Sequence, residues 1–220
     1  MKKLITFTLA LLSVVAYAQA SNKVLVAYFS FTNNTKAIAE NLATVANADL
    51  YRIVPSVAYG PENSNYYDSS TRAYQEQYGP ASTRPDIEQT LTRTDYEVVL
   101  LGFPIWYGKL PRVVLTFLDT YSFAGKTVIP FCTSGGSGIS DAETELHNTY
   151  SYVTWLTGAR LNGKSQSELQ TWWNSFGLLT ALDEVTVPRN AQTYTLSGQQ
   201  APNDYKGIII QNGQKRITND

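Results

Sequence analysis

The sequence holds one cysteine, Cys132, and one histidine, His147. A single thiol excludes an intramolecular disulfide. A single imidazole with no second thiol leaves too few ligands for a zinc-type centre. Charge of one sign is also scarce. Seventeen basic and 18 acidic residues give a formal net charge of −1, with no long run of either sign. The basic patch of a nucleic-acid binder is therefore missing. Charged residues make up 16% against 43% hydrophobic, a balance that buries a core and excludes a disordered chain. The 220 residues suit one α/β domain of about 150–200 residues with a short appendage.

The apolar stretch from Leu4 to Ala18 is too short, and too interrupted by Thr and Ser, for a comfortable membrane span. It follows Lys2 and Lys3 and ends on Ala18-Gln19-Ala20, the small-x-small pattern cut by signal peptidase. The expectation is an exported protein that loses residues 1–20 as a signal peptide. It would lie in the periplasm, on the cell surface or outside the cell, with no stable membrane span after cleavage. An uncleaved anchor is the alternative. No cysteine follows the cleavage site, which argues against a lipoprotein. Loss of the two lysines takes the formal net charge from −1 to −3.

Beyond the leader, strands and helices are expected to alternate. Lys23 to Phe29 is nearly all apolar and rich in β-branched and aromatic residues, as in a strand buried on both faces. Thr35 to Ala46 places Ile38, Leu42 and Val45 on one helical stripe. Leu50 to Val54, Tyr96 to Phe103, Lys126 to Cys132 and Tyr152 to Trp155 read as further strands. A helix starts near Pro111, a residue favoured in the first turn. Others cover Asp141 to Tyr150 and Ser165 to Leu178, the last opened by a Ser165–Glu168 capping box. Five strands separated by helices imply parallel βαβ units with right-handed crossovers.

Two segments break the alternation. Residues 55–85 are irregular apart from a short helix near Ser70 to Gln77, where Arg72 and Glu76 are spaced i,i+4. Tyr59, Tyr66, Tyr67, Tyr74 and Tyr78 crowd this segment. It is either a lid or binding rim, or an excursion packed on the domain's own surface. From Leu179 onward the pattern changes to short alternating runs, with Asn212-Gly213 as a hairpin turn.

In an open parallel sheet, ligands bind beyond the carboxyl ends of the strands. Three such ends are unusual here. After the first strand, Ser30-Phe31-Thr32-Asn33-Asn34-Thr35 leads straight into a helix. Short polar side chains with free helix N–H groups suit a monophosphate, although such residues are more often simple caps. There is no GK[ST] and no GxGxxG. After the third strand, Pro104-Ile105-Trp106-Tyr107-Gly108 could offer a flat wall to a planar ring; aromatic packing under a loop is the alternative. After the fourth, Thr133-Ser134-Gly135-Gly136 lets backbone N–H groups approach a ligand closely, or is a flexible linker. The three ends converge at the switch point of a 2-1-3-4-5 sheet.

The segments VLVAYFSFTNNTKAIAE, LLGFPIWYGKLPRVVLTFLD and GKTVIPFCTSGGSGISDAETEL resemble the flavodoxin family, over about Lys23 to Leu178. The resemblance implies a three-layer α/β/α sandwich over residues 22–178, with 179–220 as a β tail. It implies noncovalent FMN. Ser30, Thr32, Asn33, Asn34 and Thr35 would contact the phosphate. Pro104, Ile105, Trp106 and Tyr107 would lie along the isoalloxazine, and a carbonyl near Tyr107-Gly108 would accept from the reduced N5–H. Thr133, Ser134, Gly135 and Gly136 would contact ring and ribityl. Asn33 stands where the family usually has glycine; asparagine tolerates positive φ better than most residues. A second aromatic, common in the third loop of the family, is absent here.

The function so implied is an exported electron-transfer protein cycling its flavin between semiquinone and hydroquinone. It would serve redox partner proteins or a small-molecule acceptor. The alternatives are an FMN-dependent reductase of quinones or similar molecules, and a non-redox surface protein that has lost the flavin. The tail segments YTLSGQQ and KGIIIQNGQKRI are similar to surface-sorting tails of some exported bacterial proteins, or form a hairpin that decorates the domain.

Overall fold

The computed structural model describes residues 23–65, 67–178, 194–195, 201, 207–211 and 214–218. The proposed leader lies outside them. The chain divides into two compact units at residues 180/181.

In the first unit, β1 (Val24–Tyr28), β2 (Asp49–Arg52), β3 (Val98–Pro104), β4 (Thr127–Thr133) and β5 (Thr154–Trp155) form a parallel sheet of order β2-β1-β3-β4-β5. This is the expected order. β1 is buried along its whole length because it lies inside the sheet with helices on both faces. Its side chains alternate. Val24, Val26 and Tyr28 pack with Ile38 and Leu42 of α1 (Asn34–Val45) and with Leu169 and Trp173 of α5 (Gln166–Asn174). Leu25, Ala27 and Phe29 join the opposite layer, with Val113 and Phe117 of α3 (Arg112–Thr120) and Leu146 of α4 (Ser140–Thr149). The result is a three-layer α/β/α sandwich with a core on each face of the sheet.

The fifth strand departs from the expected single run at Tyr152–Trp155. It is split into β5 and β6 (Ala159–Arg160), both parallel to β4. Pro130 explains the break. The carbonyls of Val128 and Cys132 accept from Leu156 and Leu161 at 3.0 and 2.9 Å, so the residue between them faces the same edge. Pro130 has no N–H to give there. Opposite it, Gly158 comes so close that an added Cβ would stand 2.3 Å from the Pro130 carbonyl oxygen.

In the second unit, β7 (Tyr194–Thr195), β8 (Gly207–Gln211) and β9 (Gln214–Thr218) form an antiparallel sheet. Gln211 pairs with Gln214, which closes β8 and β9 into a hairpin. The Asn212-Gly213 turn itself lies outside the described residues.

Candidate functional site

The carboxyl ends of β1, β3 and β4 come together, and β6 adds a fourth corner. Between β1 and α1, Asn33 sits at φ 66 and ψ 0 and forms no side-chain cap. Asparagine adopts this left-handed conformation at modest cost, so the loop keeps the turn that glycine would allow. The first N–H groups of α1 have no partner inside the helix. One of them is met from a distance: Lys36 N donates to the buried Ser30 Oγ at 3.2 Å. Asn34 Nδ2 donates to Thr32 Oγ1 at 3.2 Å. Thr35 is buried, and its hydroxyl bonds that of Thr133 at 2.8 Å, which ties the start of α1 to the end of β4.

After β3 the chain makes a two-residue turn. Trp106 and Lys109 exchange backbone hydrogen bonds of 2.9 Å each way. Tyr107 and Gly108 between them lie at φ 52 and 78, as a type I′ turn requires. Trp106 is only 2% exposed. Phe29, Phe31 and Tyr59 stand edge-on to it at 5.4, 5.9 and 4.9 Å. The indole therefore shows the surface little of its face. Tyr107 turns elsewhere, against Tyr74 and Tyr78 at 5.5 and 5.6 Å.

After β4, Ser134 N donates to Asn162 Oδ1 at 2.8 Å, and Gly136 N donates to Ser134 Oγ at 3.1 Å. A Cβ added to Gly135 or Gly136 would meet nothing within 4 Å, so this backbone faces open space. Cys132, one residue before the loop, is fully buried, and burial pushes its thiol up to about 12. It stays protonated and is no nucleophile.

These loops enclose a cavity of about 160 Å³, lined by Phe31, Thr32, Asn34, Pro104, Ile105, Trp106, Thr133, Ser134, Gly135 and Asn162. None of the described lining residues is charged. Eight of the sequence-derived candidates line it. Ser30 and Thr35 hold the loops from beneath. Asn33 shapes the first turn, Tyr107 and Gly108 shape the second, and Gly136 follows the lined part of the third. Phe31 and Asn162 were not among the sequence candidates. Phe31 sits inside the first motif and could have been read from it; Asn162 belongs to no motif, and only the β6 pairing brings it in. A larger groove, about 500 Å³ between β6 and α5, is lined by Arg160, Lys164, Glu168 and Trp172 among others. None of its described lining residues belongs to the three loops. Among the described residues no cluster of three His, Cys, Asp or Glu could hold a metal. No described helix is long and apolar enough to cross a membrane.

Among the described residues of 55–85, none lines the cavity. The segment is pinched at its base, where Ser56 N donates to Asp86 O and Glu88 N to Val54 O at 2.9 and 2.8 Å. Beyond the pinch come a 3-10 turn (Pro61–Ser64) and α2 (Arg72–Tyr78), capped by Thr71. The expected ion pair between Arg72 and Glu76 is present at 2.5 Å. Of the two readings open in the sequence, packing on the domain's own surface matches this placement.

A profile of the flavodoxin family matches residues 23–176. A protein from Bacteroides eggerthii described as a flavoprotein shares 36% identity, over 72% of this chain and 99% of its own, with a TM-score of 0.69. A similarly described protein from Bacteroides uniformis shares 38%, over 69% and 97%, with a TM-score of 0.66. A flavoprotein from Lactobacillus acidophilus, solved in complex with FMN, shares 23% over 70% and 99% and a TM-score of 0.54; at that identity it bears on the fold alone. No curated protein matches the chain significantly.

Proposed function

The chain belongs to the flavodoxin family, and on that premise we propose that it binds FMN at the cavity between the β1, β3 and β4 loops and passes electrons to a partner. The observation that carries this reading is the convergence of three loops on one cavity whose described lining is uncharged: short polar side chains from the first, apolar surface from the second, and hydroxyls and glycine backbone from the third. The residues fit the group. Thr32, Asn34 and the first N–H groups of α1 are neutral donors beside a helix N-terminus, the chemistry that holds a phosphate. Gly135 and Gly136 present bare backbone on which a ligand can lie. Pro104, Ile105 and the reachable part of Trp106 supply apolar surface. When bound, FMN supplies the electron storage; the protein supplies binding, orientation and electrostatics. A cavity of about 160 Å³ is smaller than the roughly 300–1,000 Å³ of sites that bury a whole drug-sized ligand. Part of the ligand would stay outside it, as suits a carrier whose partner must come close.

The test is reconstitution with FMN followed by anaerobic reductive titration, read by absorbance. Stoichiometric binding and reduction in two separate one-electron steps support the carrier. Rapid turnover with NAD(P)H and a quinone would make the protein a reductase instead. Failure to bind FMN would leave a non-redox role.

We also propose export, with Ser21 as the first mature residue. The support is the Lys2-Lys3 start, the apolar stretch and Ala18-Gln19-Ala20. N-terminal sequencing of protein from its native host tests it, and a retained Met1 overturns it.

A further inference from the structure

Residues 55–85 stand behind the loop that lines the cavity and grip it along its length. Gln77 Nε2 donates to the Leu110 carbonyl at 3.0 Å. Tyr74 and Tyr78 hold the ring of Tyr107. Tyr59 meets Trp106 at 4.9 Å with its ring nearly perpendicular, at 87°. Tyr59 is itself fixed from both sides. Its phenol donates to Glu76 Oε2 at 2.5 Å. Glu76 Oε1 accepts from Arg72 Nε at 2.5 Å. The Arg72 guanidinium folds back over the Tyr59 ring, 4.3 Å from its centre, and its Nη1 donates to the Val57 carbonyl at 2.5 Å. The three side chains form a closed clamp.

Packing alone does not call for such a clamp. The Glu76 side chain is only 12% exposed, and a carboxylate taken out of water is costly unless every partner is in place. Apolar residues of similar size often stabilise a buried site as well or better. What a polar clamp adds is direction, because its hydrogen bonds fix how the ring is turned. Burial and the Glu76 carboxylate both hold the Tyr59 phenol well above its ordinary range, so it remains a donor.

We propose that Tyr59, held by Glu76 and Arg72, is a positioning residue that sets the orientation of Trp106 and so the shape of the wall it gives to the cavity. The proposal rests on the FMN reading above, but its first measurement does not need FMN. The protein is labelled with 5-fluorotryptophan, and the Trp106 resonance is assigned by Trp106→Phe. Tyr59→Phe keeps the ring and removes the bond to Glu76; Tyr59→Leu removes the ring as well. Both should move or broaden the Trp106 resonance and leave those of Trp155, Trp172 and Trp173 in place. Tyr59→Phe should also weaken FMN binding, by less than the tenfold that about 1.4 kcal/mol represents, with a larger loss in Tyr59→Leu. A variant that melts earlier but keeps the wild-type Trp106 resonance and FMN affinity would make Tyr59 a packing residue and overturn the proposal. If wild-type protein binds no FMN, the functional reading fails, and the resonance still decides whether Tyr59 positions Trp106.

Discussion

Asn162 is the residue whose role depends most on the folded chain. Its Oδ1 is taken by Ser134 N, which leaves Nδ2 to donate into the cavity it lines. Asn162→Asp keeps an acceptor for Ser134 but exchanges the donor for an anionic oxygen. FMN affinity should fall tenfold or more, since an unmatched hydrogen bond at a charged group is worth roughly 1.5–3 kcal/mol. The melting temperature at neutral pH should hardly move, because the residue is exposed. Titration of apoprotein with FMN, by flavin fluorescence, checks this, and unchanged affinity would remove Asn162 from the site. The contrast with the first loop shows what sequence can reveal. Ser30 accepts from Lys36 N, Asn34 donates to Thr32, and Asn33 makes the turn between them, all within seven residues, so their chemistry is legible locally. Asn33, which stands where the resembled family usually has glycine, adopts the left-handed conformation that asparagine tolerates. Asn162 reaches Ser134 across 28 residues, and no local pattern announces that. Trp106 lies between these cases. Its place after β3 was legible, but the three rings packed nearly perpendicular to it come from elsewhere in the chain.

At the scale of elements, the strands were readable to within one or two residues except where β4 loses a donor. Pro130 stood in plain view, but its effect falls on the neighbouring strand, so the split of β5 from β6 needs the register of both. Gly102 in β3 has a similar cross-strand meaning. A Cβ there would stand 2.2 Å from the ring of Phe131, its partner on β4 and fully buried. Gly102→Ala should destabilise the protein by about 1–3 kcal/mol through overpacking, measured by urea unfolding. Gly102→Ala combined with Phe131→Leu should recover part of that loss. The start of α5 gives a pH prediction. Hydrogen bonds from Lys164 and then Ser165 hold the Glu168 carboxyl down to about 2, completing the capping box found there. A depressed carboxylate stabilises the fold above its unfolded range near pH 4.5 and loses that contribution as pH falls toward 2. Glu168→Gln should therefore melt earlier than wild type at neutral pH, with the difference closing by about pH 2. A difference that persists there would assign the effect to something other than this charge.

At the scale of the molecule, the described cavity-lining residues all fall between Phe31 and Asn162, and residues 181–220 form a separate compact unit. A chain ending at Leu178 should keep its FMN affinity within about tenfold, roughly 1.4 kcal/mol. A folded truncation that loses more would place the tail in the site. The sheet of the first unit also bears on self-association. A long, flat outer strand is a template on which a second copy can add itself, and so a seed for aggregation. Here β5 and β6 offer two residues each, interrupted opposite Pro130 by the stretch that holds Gly158. The other border, β2, is four residues long with Asp49 and Arg52 at its ends. Neither border gives an incoming chain a continuous ladder. The break that leads from β5 into the corner occupied by Asn162 thus also stops the sheet from growing sideways.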